Sequence, residues 1–198
     1  MKQEEKNRKS RERILEYAFM EFAEQGYQRA SVNTICAAGS ISKGLLYHYY
    51  TDKDTLYLAC VEKCFQELTA ALSGALDAET VTPDVYFQTR LDFFTQHPNH
   101  QRLFCDTVVN PPRHLHRELA QRRVSFDGLN EKMLTAILEK ETLAEGLSIS
   151  DAIAQFRIFE DCVSAILKNA DPEQRQTDSH NDLCRKTLKT MLYGLIAR

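Results

Sequence analysis

An all-α fold is predicted by three observations. Apolar residues recur at three- and four-residue spacing through nearly the whole chain. No stretch shows the strict alternation of a half-buried strand. Serine, threonine, glycine and proline stand at intervals where helices start and stop. With 198 residues, 43% of them hydrophobic, the chain has enough apolar material for a real core. About nine helices result: an N-terminal three-helix head and a larger C-terminal helical body.

The first helix spans about Asn7 to Gln25, with Ile14, Leu15, Ala18, Phe19, Phe22 and Ala23 on one face. Gly26 is placed to end it. Ser31 can cap the second helix, whose inner face is Val32, Ile35 and Ala38. Ser42 can cap the third, Lys43 to about Tyr49, and Thr51 with Asp54 forms a capping-box-like pair for the fourth, which extends to about Leu76. Thr82-Pro83 and His97-Pro98 open the fifth and sixth helices, because proline suits the first helical position. Pro111-Pro112 forces a break, since proline disfavours helical geometry in the residue before it. The seventh helix follows from about Arg113 to Glu141, the eighth covers about Asp151 to Asn169, and the ninth about Asn181 to Ala197. The predicted domains are residues 1–50 and 51–198, with the boundary set by the fourth helix.

Composition narrows the function classes. The net charge is −3, and residues 1–60 hold nine basic and eight acidic side chains, so bulk charge does not announce a nucleic-acid partner. The basic residues nevertheless cluster early, from Lys2 through Arg13, where they can reach a phosphate backbone. The charged N-terminus reads as no signal peptide, and no apolar run approaches a membrane span. A cytoplasmic location is expected. Six scattered cysteines without a CxxC pair read as reduced, packed thiols. No phosphate-binding glycine loop, nucleophile elbow or HExxH is present, so no enzyme activity and no cofactor are expected. His97, His100, His114, His116 and Cys105 fall close together, but their spacing matches no closed metal motif, and no metal is expected.

The stretch Ser31 to Tyr50, SVNTICAAGSISKGLLYHYY, reads as two short helices around a tight turn. The second carries Lys43, Tyr47, His48 and Tyr49 on a small surface, with Lys53 just beyond. A helix-turn-helix presents one helix to the major groove and donors to phosphates in this way. Four adjacent aromatic residues, Tyr47 to Tyr50, cannot all face one side of a helix. Leu46 and Tyr50 are expected inside, with at least two of the others outside.

With that head in place, the chain resembles the TetR family of bacterial transcriptional regulators. The likeness rests on SISKGLLYHYYTDKDTLY, close to the family's Val-Ser-Lys-Gly-Thr-Leu-Tyr-x-Tyr/His-Phe followed by lysine and an acidic residue. The long first helix and the Ile35-Cys36 pair support it. Motif similarity covers about Arg8 to Cys64, within a family region of about residues 8–68 that shares the fourth helix. The resemblance implies that Ser42, Lys43, Gly44 and Leu45 lie at the start of the recognition helix. By the same likeness, Tyr47, His48 and Tyr49 contact DNA, Lys53 reaches a phosphate, and Ser31, Asn33 and Thr34 flank the groove. Two departures stand out: Ser40 occupies a turn position where the family usually has glycine, with Gly39 one place earlier, and Leu45 stands where threonine is common.

The resemblance also implies a homodimer, double-stranded operator DNA as partner, and release by a small-molecule effector. Such a dimer requires a near-palindromic operator. Dimer candidates on the last two helices are Phe156, Val163, Ile166, Leu188, Leu192 and Leu195. Pocket candidates are Phe87, Phe94, Phe104, Val108, Phe126, Met133, Gln155 and Phe159, which suit a mostly apolar ligand. The alternatives are a helical DNA-organising or protein-binding dimer without a small-molecule trigger, and a metal-responsive regulator.

Overall fold

The computed structural model describes residues 2–169, together with Lys186 and Thr190. All regular elements within that range are helical: α1 (Lys2–Arg29), α2 (Val32–Gly39), α3 (Lys43–Tyr49), α4 (Lys53–Ala75), α5 (Pro83–Gln96), α6 (Pro98–Val109), α7 (His116–Leu138) and α8 (Ile149–Asn169), with a 3-10 turn at Arg113–Leu115. The expected ninth helix, with Leu188, Leu192 and Leu195, lies outside the described residues. Two compact units form, one from residues 1–65 and 98–123, the other from 66–97 and 124 onward. Both α4 and α7 contribute to each.

Local chemistry sets the ends of these helices. Gly26 has φ 67° and ψ 170°, a conformation open in practice to glycine alone, so the straight part of α1 stops there and one further turn follows to Arg29. Thr82 accepts a hydrogen bond from Val85 N at 3.3 Å and caps α5, with Pro83 in the first turn. Three expectations need correction. The cap of α4 is Asp52, not Thr51: Asp52 Oδ1 accepts from Thr55 N at 2.7 Å, and Thr55 Oγ1 accepts from Asp52 N at 3.3 Å. A carboxylate is a stronger acceptor than a hydroxyl, which moves the box one residue on. On α2, Cys36 and Gly39 join Ile35 inside, while Ala38 is exposed. The seventh helix does not begin at Arg113, because Pro112 is extended (φ −56°, ψ 122°) and a 3-10 turn intervenes before His116.

The first unit is held by α1, whose buried Ile14, Ala18, Phe19 and Phe22 form one stripe. Phe22 meets Tyr57 of α4 edge-on at 5.0 Å, and Phe19 meets the His100 ring at 4.6 Å. Tyr57, wholly buried, pairs its hydroxyl with Thr107 at 3.1 Å. Burial pushes the Tyr57 phenol and the Cys60 thiol well above their ordinary ranges, so both stay neutral. In the second unit, Tyr86, Phe87 and Phe156 form an aromatic cluster with centroid separations of 5.3, 5.8 and 6.4 Å.

Candidate nucleic-acid interface

The surface expected to meet DNA is built from α2, α3 and the start of α4. Ser31 is extended and its hydroxyl accepts from Asn33 N at 3.2 Å, which starts α2. Its own N–H donates to Glu21 Oε1 at 2.9 Å, tying α2 to α1. Ser40 closes α2 in the left-handed conformation (φ 49°, ψ 48°), and the following Ile41 N donates back to Cys36 O at 2.8 Å. The turn is therefore drawn on Ser40 itself. Gly39 is required for a different reason, since a Cβ there would sit 2.4 Å from Ile41 Cδ1 and 2.8 Å from Tyr17 Cδ2. One residue supplies the backbone conformation and its neighbour supplies the space.

Ser42 then caps α3, accepting from Leu45 N at 3.2 Å. Leu46 and Tyr50 are buried and anchor the helix. Lys43, Gly44, Leu45, Tyr47 and His48 are exposed and Tyr49 is half-buried, the division expected from their spacing. Tyr47 is 47% exposed and Leu45 37%. A Cβ added at Gly44 would touch nothing, so the chain's own packing does not require glycine there. Asn33 and Thr34 are exposed beside the turn, and Ser31 is half-buried.

Lys53 is folded back: its Nζ lies 4.7 Å over the Tyr27 ring and 3.4 Å from Gln28 O. Burial lowers its pKa. Behind it lies a polar cluster that the sequence did not announce. Tyr27 donates its hydroxyl proton to Asp54 Oδ1, and Asp54 Oδ2 lies 3.0 Å from His114 Nε2. Burial, together with the hydrogen bond to Asp54, pushes the Tyr27 phenol up to about 12. The cluster joins residues far apart in sequence, so no local motif could have revealed it.

The pocket candidates divide between the two units. Phe104, buried, and Val108, half-buried, belong to the first unit; the other six belong to the second. There Phe87, Phe94, Phe126 and Met133 are buried, Phe159 is half-buried and Gln155 is exposed. Sequence reasoning missed a polar chain in this unit. Arg90 Nη1 donates to Glu160 and, at 3.0 Å, to the Tyr86 hydroxyl, which donates to Asn130 at 2.9 Å. The Tyr86/Arg90 spacing of one helical turn was its only local sign. Of the dimer candidates, Phe156 and Val163 are buried within the chain, while Ile166 is 59% exposed. Among the described residues no three His, Cys, Asp or Glu side chains converge to hold a metal. No described helix is long and apolar enough to cross a membrane.

Residues 14–60 match the model of the bacterial regulatory proteins of the tetR family. That segment contains the capped turn and the whole of α2 and α3. Over that segment the chain matches the TetR family. Its curated relatives include the nucleoid occlusion factor SlmA of Glaesserella parasuis, 26% identical over 133 residues, 65% of this chain and 64% of that protein. The chain's match thus spans somewhat less than two thirds of that relative's length. A helix-turn-helix transcriptional repressor of Streptomyces coelicolor is 33% identical over 91 residues, 46% of this chain and 45% of its own. Among solved structures, FadR of Bacillus subtilis in complex with stearoyl-CoA superposes with a TM-score of 0.72 at 15% identity, covering 92% of this chain and 98% of that one. The fold therefore extends well beyond the segment whose sequence carries the TetR-family motif.

Proposed function

We propose that this chain is a TetR-family DNA-binding transcriptional repressor that acts as a homodimer on a near-palindromic operator and is released by a small, mostly apolar molecule. The observation that carries the reading is α3: Lys43, Gly44, Leu45, Tyr47 and His48 face outward on a short helix fixed by Ser42, Leu46 and Tyr50. Lys43 and the tyrosine hydroxyls supply phosphate donors, Gly44 permits close approach, and Leu45 offers an apolar contact to a thymine methyl. Lys53 swings from the Tyr27 ring to a phosphate. The Streptomyces repressor supports the sign of regulation. FadR with stearoyl-CoA supports an apolar effector held in the helical body. On α8, Ile158 and Ile166 are the exposed apolar residues offered to a second copy, in place of the buried Phe156 and Val163.

A second reading, a DNA-organising dimer without a small-molecule trigger, is favoured by the similarity to a nucleoid occlusion factor. Selection of duplexes from a random pool, followed by titration with acyl-CoA thioesters, separates the two. A near-palindromic winner released by the thioesters supports the repressor; the same winner retained throughout supports the organiser. Lys43→Ala, Tyr47→Phe and Lys53→Ala are each expected to weaken binding while the protein stays folded. Normal binding by all three removes the assigned surface.

A further inference from the structure

One face of α1 is left without a role by the surface described above. Lys6, Ser10, Arg13 and Tyr17 are spaced four, three and four residues apart, so they fall within about 60° of one another around the helix. Tyr17 is the inner end of this row: its ring packs where a Cβ on Gly39 would lie, against the turn between α2 and α3. The row therefore starts at the helix-turn-helix and runs toward the N-terminus for eleven residues, about 16 Å of helix. Lys6 and Arg13 are exposed, and neither has an ion-pair partner among the described residues. Lys9, beside them, pairs with Glu5 at 2.9 Å. Arg8, about half a turn away on the opposite face, pairs with Glu12 at 3.0 Å. Arg11, on another face, sets its guanidinium 6.0 Å from the Tyr50 ring centroid and feels the Glu62 charge, so Lys6 and Arg13 are the exposed cations on the face continuous with the turn.

We infer that the Lys6–Ser10–Arg13 face of α1 is a second contact with the phosphate backbone, reaching DNA that flanks the segment read by α3. This rests on the DNA-binding reading and extends it. The occupant is double-stranded DNA because the free charge is positive, it carries no aromatic platform for unpaired bases, and it continues a surface already assigned to a duplex. The contact carries no base information; it adds affinity and salt dependence.

The test uses the full chain and the selected duplex, with binding measured from 50 to 200 mM salt. Lys6→Gln/Arg13→Gln removes two cations from each protomer and is expected to lower the salt slope of the dimer by about four. Over that salt range the parent protein then loses on the order of a hundredfold more affinity than the variant. The preference for the selected duplex over random DNA stays the same. Arg8→Gln, an equal loss per residue on the opposite face, leaves the slope unchanged. An unchanged slope in the double variant overturns the inference, as does an equal fall per residue in Arg8→Gln, which signals general charge alone. Shortening the flanks of the duplex lowers the slope of the parent and not of the variant; equal loss in both also overturns it. Failure of the parent protein to bind any duplex is a different result, since it removes the DNA-binding reading itself. All three substituted side chains are exposed, so helicity and unfolding temperature stay at parent values.

Discussion

In the first unit Tyr47 stands 47% exposed on α3, whereas in the second Tyr86, Phe87 and Phe156 are almost wholly buried and touch one another. The residue types are similar, and their energetic roles are opposite. An exposed tyrosine adds little to folding and leaves its hydroxyl for a partner. A buried one contributes its area to stability, and the Tyr86 hydroxyl is satisfied within the chain by Asn130. The comparison teaches that aromatic content does not locate a binding surface; the burial of the residues next to the aromatics does. Leu46 and Tyr50 are what make Tyr47 available.

Truncation breaks this comparison most sharply. Phe156→Ala is expected to cost about 3–5 kcal/mol, because a fully buried aromatic leaves a cavity among Tyr86 and Phe87. Tyr47→Ala is expected to change stability by less than about 0.5 kcal/mol and to weaken operator binding severalfold or more. Chemical denaturation and DNA titration on both variants check the pair. Equal destabilisation would place Tyr47 in the core and end the assignment of α3 as a reading helix.

Arg90 offers a second contrast, between charges inside and outside. Its pair with Glu160 leaves the two side chains only 12% and 15% exposed, and the guanidinium lies 5.7 Å from both the Tyr86 and Phe126 ring centroids. Arg90→Met leaves Glu160 without its countercharge, at an expected cost of about 3 kcal/mol. Arg90→Met/Glu160→Leu is expected to recover most of it, because no lone charge remains. Arg8→Ala, removing an exposed pair with Glu12, is expected to cost less than about 0.5 kcal/mol. If the double substitution is as damaging as the single, the pair is not the element that Arg90 serves.

These contrasts also show what can be read from the chain. The capped α3 is legible because its signals are local: Ser42 before an apolar anchor, and four aromatic residues too close together to share a face. Thr51 stands in for Asp52 in the sequence pattern because both are good caps one residue apart, and sequence alone does not rank them. Ala38 falls on the wrong side because eight residues are too few to fix the phase of a helical pattern. Arg90–Glu160 and Tyr27–Asp54–His114 link residues 27 to 87 positions apart, so they depend on the tertiary fold.

Within the turn, Gly39 and Ser40 divide a role that one glycine often fills. Gly39→Ala is expected to cost about 1–3 kcal/mol through the clash with Ile41 and Tyr17. Ser40→Gly is expected to stabilise by about 1 kcal/mol, since serine at φ 49° carries the left-handed penalty. Thermal unfolding of the two variants should move in opposite directions. The same sign in both would mean that space and conformation are not separated in this way.

The smallest effect concerns the start of α4. The Thr55 N–H and hydroxyl hold the Asp52 carboxyl below its ordinary range, with smaller help from Thr51. The stability this gives is present above the ordinary carboxylate range and is lost as pH falls through the lowered value, because protonation removes the charge the cap relies on. Asp52→Ala is expected to cost about 1 kcal/mol near neutrality and less as the pH falls, as the parent protein loses the same contribution. Urea unfolding of both proteins at neutral and acid pH tests this. A difference that persists undiminished in acid would show that the cap acts through its shape rather than its charge. In that event Asp52→Asn would be as good a cap as the carboxylate.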